Sequence, residues 1–325
     1  MRVLRVLALL ALGTLGCGQK QVSVSTPAPS ADPATAASAT SAGSPAPVTP
    51  SSPVPTASGV AAAVPTGAPG GAACGKLACE LFDTPEGAFD RLLADKPAVL
   101  AIGETHAQKD DPQVPSVTKR FTQRLLPRLE GKASDLVLEL WVANNNCNAQ
   151  QKKEIKQVAS AQKAVTENQA QSNQGEFIAL YTAARQKKIR SHLLVPSCDE
   201  YGKIVAAGGG DIDTMLSMIA RLTAEKIESI SAGDHALVVA YGGAMHNDRE
   251  PRPGREPWSY GPRVAKAVPA YVEVDLIVPE LVKDTDAWRS QPWYPHYTRG
   301  AQGARTLLYT LRPGAYVVVF PETPK

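Results

Sequence analysis

Two apolar runs that end alike constrain this chain more than any other feature. "KPAVLAIGETH" (96–106) is apolar from Ala98 to Ile102, then reads Gly103-Glu104-Thr105-His106. "HALVVAYGGAMH" (235–246) is apolar through Ala240 and closes Gly243-Ala244-Met245-His246. An unbroken apolar run of this length marks a strand covered on both faces. In sheets built from such strands, ligands sit beyond the carboxyl ends. Each glycine lets the backbone turn sharply where the strand leaves the sheet. Each histidine follows directly. If the two strands are parallel, both imidazoles reach one rim.

Other segments supply the rest of an α/β pattern. "SDLVLELW" (134–141) and "IRSHLLVPS" (189–197) read as further strands, and "AYVEVDLIV" (270–278) alternates like a half-exposed one. "RTLLYTLRPGAYVVVFP" (305–321) reads as a hairpin turning at Pro313-Gly314. Helical spacing appears over 116–131 at Val117, Phe121, Leu125 and Leu129, with Pro127 distorting its end. Residues 149–171 are polar and read as one or two exposed helices without a strong core face. Residues 175–189 are amphipathic, and 211–231 form a helix capped by Asp211. Strands alternating with helices predict a central, mostly parallel or mixed sheet flanked by helices, with the C-terminal hairpin at an edge.

Acidic residues lie near the two histidines. Glu104 sits inside the first motif. Glu139 ends "DLVLEL", where a charge is costly unless it is partnered or faces outward. Asp199 and Glu200 follow the third strand, and Asn247 and Asp248 follow His246. Tyr241 reads as a core residue. Two neutral imidazoles with one or two carboxylates suit a divalent transition metal. The same groups without metal suit general acid–base chemistry, a carboxylate orienting a histidine that takes a proton. A histidine with an open face suits haem iron. The residue types leave these three open. His235 lies at the opposite strand end and His192 reads as packing. His296 sits in an aromatic loop with Trp288, Trp293, Tyr294 and Tyr297, a covering loop or else a lid or flat-ligand platform. Gly208-Gly209-Gly210 lacks a following Lys-Ser/Thr and reads as a flexible turn.

The N-terminus sets an address. Arg2 and Arg5 precede an apolar stretch from Val6 to Leu15 that is too short to span a bilayer, the layout of a signal peptide over 1–16. Thr14-Leu15-Gly16-Cys17 resembles the lipobox of bacterial lipoproteins, with threonine where leucine is usual. That resemblance implies lipidation of Cys17 and a membrane contact through the anchor. Gly18 follows the cysteine rather than an aspartate, which points to the outer membrane. Residues 17–73 are rich in Ala, Ser, Thr and Pro, and carry no aromatic side chain. Such a segment buries too little apolar surface to order itself. A flexible tether of this length spans roughly 40 Å. Residues 74–325 then form one α/β domain.

The net charge is +3, and it falls to +1 once Arg2 and Arg5 leave with the signal peptide. Near-neutrality argues against a nucleic-acid partner. The remaining cysteines are Cys74, Cys79, Cys147 and Cys198, an even number that suits disulfides in an exported protein. Of the three possible pairings, Cys74–Cys79 with Cys147–Cys198 closes one small loop and ties the ends of two central strands.

"LAIGETH", "DLVLELW" and "YGGAMHN" together resemble the superfamily of ChaN-like haem-binding lipoproteins, TraB/Tiki-like proteins and erythromycin esterases. The likeness covers roughly 96–250. ChaN-like chains carry further histidine or aspartate after the first motif, where this chain has "AQKDDPQ" with Asp110 and Asp111. The resemblance implies a cleft lined by Glu104, His106, Glu139 and His246. It implies haem binding, metal-dependent peptide cleavage or ester hydrolysis, with a small ligand or peptide in the cleft.

Overall fold

The structure is a computed structural model that describes residues 71–73, 77–208, 211–233 and 236–324. Cys17, Cys74, His235, and Gly209 and Gly210 lie outside the described residues. Among the described residues, nine strands make one sheet: β1 (Ala72–Ala73), β2 (Cys79–Phe82), β3 (Val99–Glu104), β4 (Ala133–Trp141), β5 (Arg190–Leu194), β6 (Leu237–Gly243), β7 (Tyr271–Ile277), β8 (Thr306–Arg312) and β9 (Ala315–Val319). Their spatial order is β1-β2-β8-β9-β7-β3-β6-β4-β5. From β9 to β5 every neighbouring pair is parallel, whereas β1, β2 and β8 join antiparallel. The protein is therefore an α/β protein with a mixed sheet flanked by helices.

The helices are α1 (Pro85–Ala94), α2 (Val117–Arg120), α3 (Ala149–Val165), α4 (Ser172–Gln186), α5 (Cys198–Ala206), α6 (Ile212–Ser231), α7 (Gly261–Ala267) and α8 (Asp286–Arg289). One apolar core gathers Phe89 of α1, Phe121, Leu125 and Leu129, and Phe177 of α4 against Leu100, Ile102 and Tyr241. The other gathers Val158, Tyr201, Met215, Ile219 and Val264 of α3, α5, α6 and α7 against Val99, Ala101 and Ala240. Alternate residues of β3 thus enter opposite cores, which is why its sequence shows no polar alternation.

Several expectations need correction. The helix expected over 116–131 is three pieces: α2, a π-helix at Phe121–Leu125 and a 3-10 turn at Leu126–Leu129. Pro127 has no N–H to continue the α ladder, and the preceding backbone takes wider bonds instead. The hairpin β8–β9 lies inside the sheet, not at an edge, because β1 and β2 add outside it. The strand expected to be half-exposed, β7, is buried on both faces, since β3 and β9 flank it and both layers cover it. The disulfide Cys147–Cys198 forms, with a Cα–Cα distance of 5.4 Å. It ties the loop after β4 to the first residue of α5, beside an edge strand and not between two central ones. Cys79 is disulfide-bonded, and Cys74, its expected partner, lies outside the described residues.

Candidate functional site

Strands β3 and β6 pair in parallel with Gly103 opposite Gly242 and Glu104 opposite Gly243. The two strand-end motifs therefore leave the sheet side by side. The Ala244 N–H donates to the Glu104 carbonyl at 3.0 Å, and the His246 N–H donates to the Gly243 carbonyl at 2.9 Å, closing the turn. The position a Cβ of Gly243 would take is 3.1 Å from His106 Nε2 and 3.4 Å from Glu139 Oε2. Glycine at that point leaves the room in which the two motifs and β4 meet.

The structure brings all four candidate side chains together, and all are buried: His246 is 1% exposed and Glu139 5%. Glu139 does not face outward. One carboxylate oxygen accepts the Gly243 N–H, and Oε1 lies 3.3 Å from His246 Nε2. His246 Nδ1 is 2.5 Å from the Trp258 carbonyl. A carbonyl only accepts, so Nδ1 carries the proton and Nε2 faces Glu139. His106 Nδ1 lies 2.5 Å from Glu104 Oε1. Glu104 Oε2 takes Thr118 Oγ1 at 2.6 Å and the Tyr241 hydroxyl at 3.1 Å.

Three atoms are left over. His106 Nε2, Glu139 Oε1 and His246 Nε2 are buried without a hydrogen-bond partner. With both imidazoles protonated at Nδ1, all three are lone-pair acceptors, and leaving such groups unmatched is costly. A proton or a metal cation relieves that clash. Burial works against a charged His246, but the Glu139 carboxylate outweighs it and holds the imidazole above its usual range. Burial likewise disfavours the Glu139 carboxylate, but His246, His106 and the Gly243 N–H together outweigh it and hold Glu139 below its usual range. Among the described residues, no group of three or more His, Cys, Asp or Glu side chains is placed to hold a metal ion.

The other candidates lie elsewhere. Glu200 accepts the Ser197 N–H as part of a capping box on α5 and pairs with Arg221, and Asp199 accepts from Gln151. His192 meets Asp135 at 2.7 Å near the start of β4. The aromatic loop packs Trp293 on Tyr309 and Val317, with His296 exposed, as a cover over one sheet face. Gly208 ends α5 with φ 112°. Asn247 donates to the Ala101 carbonyl and to Asp275. A hollow of about 740 Å³ opens between α5 and α6, lined by Val195, Glu200, Met218 and Arg221 among others. None of the four candidate side chains lines it.

Thr118 and the Trp258 carbonyl escaped the sequence reading. Thr118 sits beside apolar Val117 with nothing to mark it. A backbone carbonyl has no residue identity. Tyr241 is core, as expected, but its hydroxyl also serves Glu104.

The fold and this geometry define an α/β protein with a buried His–Glu cluster at the carboxyl rim of a mixed sheet. No protein-family model matches the chain, and no curated protein does. Among solved structures the chain is similar to the type III effector HopBA1, with a TM-score of 0.38 and 9% identity over 74% of this chain and 96% of that one.

Proposed function

We propose that this is an exported lipoprotein, held at the outer membrane through Cys17, whose domain is of the ChaN/Tiki type and binds a divalent transition metal. His106, His246 and Glu139 would hold the metal, and Glu104 would orient His106. The observation that carries this reading is a set of three buried lone-pair atoms, His106 Nε2, Glu139 Oε1 and His246 Nε2, the last two 3.3 Å apart and none with a further polar partner. Each belongs to a side chain whose other polar atom is tied: to Glu104, to the Gly243 N–H and to the Trp258 carbonyl. Tied second atoms are how proteins orient metal ligands, and two imidazoles with a carboxylate suit zinc and its neighbours. Haem was the other expected cofactor. The four side chains are closed over, so the geometry favours a bare ion over a macrocycle. A bound metal would supply Lewis acidity and a water of lowered pKa.

A second reading, a metal-free or metal-assisted hydrolase acting on an ester or peptide, is favoured by the Glu104–His106 pair. A carboxylate 2.5 Å from Nδ1 with Nε2 unengaged is the arrangement of a general base.

Elemental analysis of protein purified without chelators tests the proposal, with a haem titration beside it. About one equivalent of metal is expected in the wild type and none in His106→Ala or His246→Ala. Unchanged stoichiometry in both folded variants overturns the site. Absence of metal and haem from all three leaves the hydrolase reading, or an envelope interaction module without chemistry. The anchor is tested by Cys17→Ala, which is expected to leave the membrane fraction.

A further inference from the structure

Glu104 is a buried carboxylate, 4% exposed, and its ion-pair partner is His106 rather than a lysine or arginine. Hydroxyls do the work a cation would do. Thr118 Oγ1 donates to Oε2 at 2.6 Å, and the Tyr241 hydroxyl lies 3.1 Å from the same oxygen and 3.2 Å from Thr118 Oγ1. Both residues are 2% exposed. Tyr241 is itself fixed: its ring stacks on Phe121 at 4.7 Å and meets Phe177 edge-on at 5.6 Å. Thr118 lies on α2, directly before the π-helix that carries Phe121. Two elements, α2 and β6, thus converge on one carboxylate oxygen of β3.

We propose that Thr118 and Tyr241 are positioning residues: their hydroxyls pin Glu104 Oε2, so that Oε1 meets His106 Nδ1 and holds the imidazole as the Nδ1–H tautomer with Nε2 presented to the cluster. The donor count supports this. Nδ1–H and two hydroxyls are three donors, and the carboxylate, with two lone pairs on each oxygen, is the acceptor that can satisfy them all. Turning the carboxylate away would leave the buried Thr118 hydroxyl without its acceptor. Burial keeps the Tyr241 hydroxyl protonated, and the neighbouring Glu104 adds to this, so it remains a donor well above pH 10. The arrangement is one layer further out than the imidazole–carboxylate pairs that set metal ligands.

The consequence for metal affinity rests on the metal-binding proposal above, but the tautomer does not. The experiment uses the whole exported chain with ¹⁵N-labelled histidine. Wild type, Tyr241→Phe, Thr118→Val, the double variant and Thr118→Ser are compared for the His106 tautomer by NMR, and for Co²⁺ affinity by calorimetry. Expected is a single Nδ1–H tautomer in wild type and Thr118→Ser, and a mixed population in the double variant. Co²⁺ should bind roughly tenfold or more weakly in the double variant, the scale of second-layer effects, with Thr118→Ser restoring it. An unchanged tautomer in a folded double variant overturns the positioning role, whatever happens to Co²⁺. A wild type that binds no Co²⁺ while the tautomer still shifts overturns the metal reading and supports the positioning role.

Discussion

Glu139 Oε1 stands 3.3 Å from His246 Nε2 in a fully buried setting, and neither atom has another polar partner. A neutral imidazole protonated at Nδ1 would set two lone pairs against each other there. The pair is therefore comfortable only with a cation between or upon its members.

In metal-free protein that cation is a proton, and the pH dependence follows. Glu139 is held below the ordinary glutamate value of 4.5, so its contribution is present above that value and is lost as pH falls through the folded pKa. His246 is raised above 6.5, so its contribution is complete below that value and is lost as pH rises through the folded pKa. Metal-free wild type should thus draw most support from the pair between pH 4.5 and 6.5. Glu139→Gln should lower Tm most in that window and least near pH 9. Melting curves across pH, with chelator present, check this; a constant gap between the two proteins would show that the pair is not ionised.

Gly243 leaves the space into which the cluster opens. A methyl group there would lie 3.1 Å from His106 Nε2. Gly243→Ala should fold, at a cost of about 1–3 kcal/mol for overpacking, and should bind metal at least tenfold more weakly. Calorimetry with Co²⁺ measures it, and retention of full affinity would remove Gly243 from the site.

Asp275 on β7 gives a separate pH signal. Burial pushes it up to about 7, with Asn247 pulling the other way. A carboxyl raised in the folded state is favoured neutral, so folding loses stability as pH climbs from 3.8 toward 7. Asp275→Asn keeps the shape without the charge. Its Tm should change less between pH 5 and 8 than that of the wild type, measured by calorimetric melting.

The Cys147–Cys198 bridge closes a separation of 51 residues. Replacing both cysteines with alanine should destabilise the domain by about 2–4 kcal/mol. Denaturant unfolding under oxidising conditions checks it. Under reducing conditions the wild type and the double variant should have nearly the same midpoint.

Val99 to Glu104 and Leu237 to Gly243 declare themselves in sequence, because a strand buried on both faces must be apolar at every position. Their shared Gly-x-x-His endings also place His106 and His246 at one rim, since parallel register follows from the α/β alternation. Asp211 as a cap and Pro127 as a disruption are legible for the same reason: their effects are local. What the tertiary structure alone decided is the partner of each polar group. Whether Glu139 turned outward or onto Gly243 depended on the register of β4 against β6, a non-local pairing. Glu200, close in sequence to a strand end, went to α5, where it caps the helix by accepting the Ser197 N–H, and Asp199 beside it accepts from Gln151. The Trp258 carbonyl that fixes His246, and the Thr118 hydroxyl that fixes Glu104, carry no periodic signal at all. Hydrophobic pattern specifies which face is buried; it does not specify which donor meets which acceptor once that face has closed.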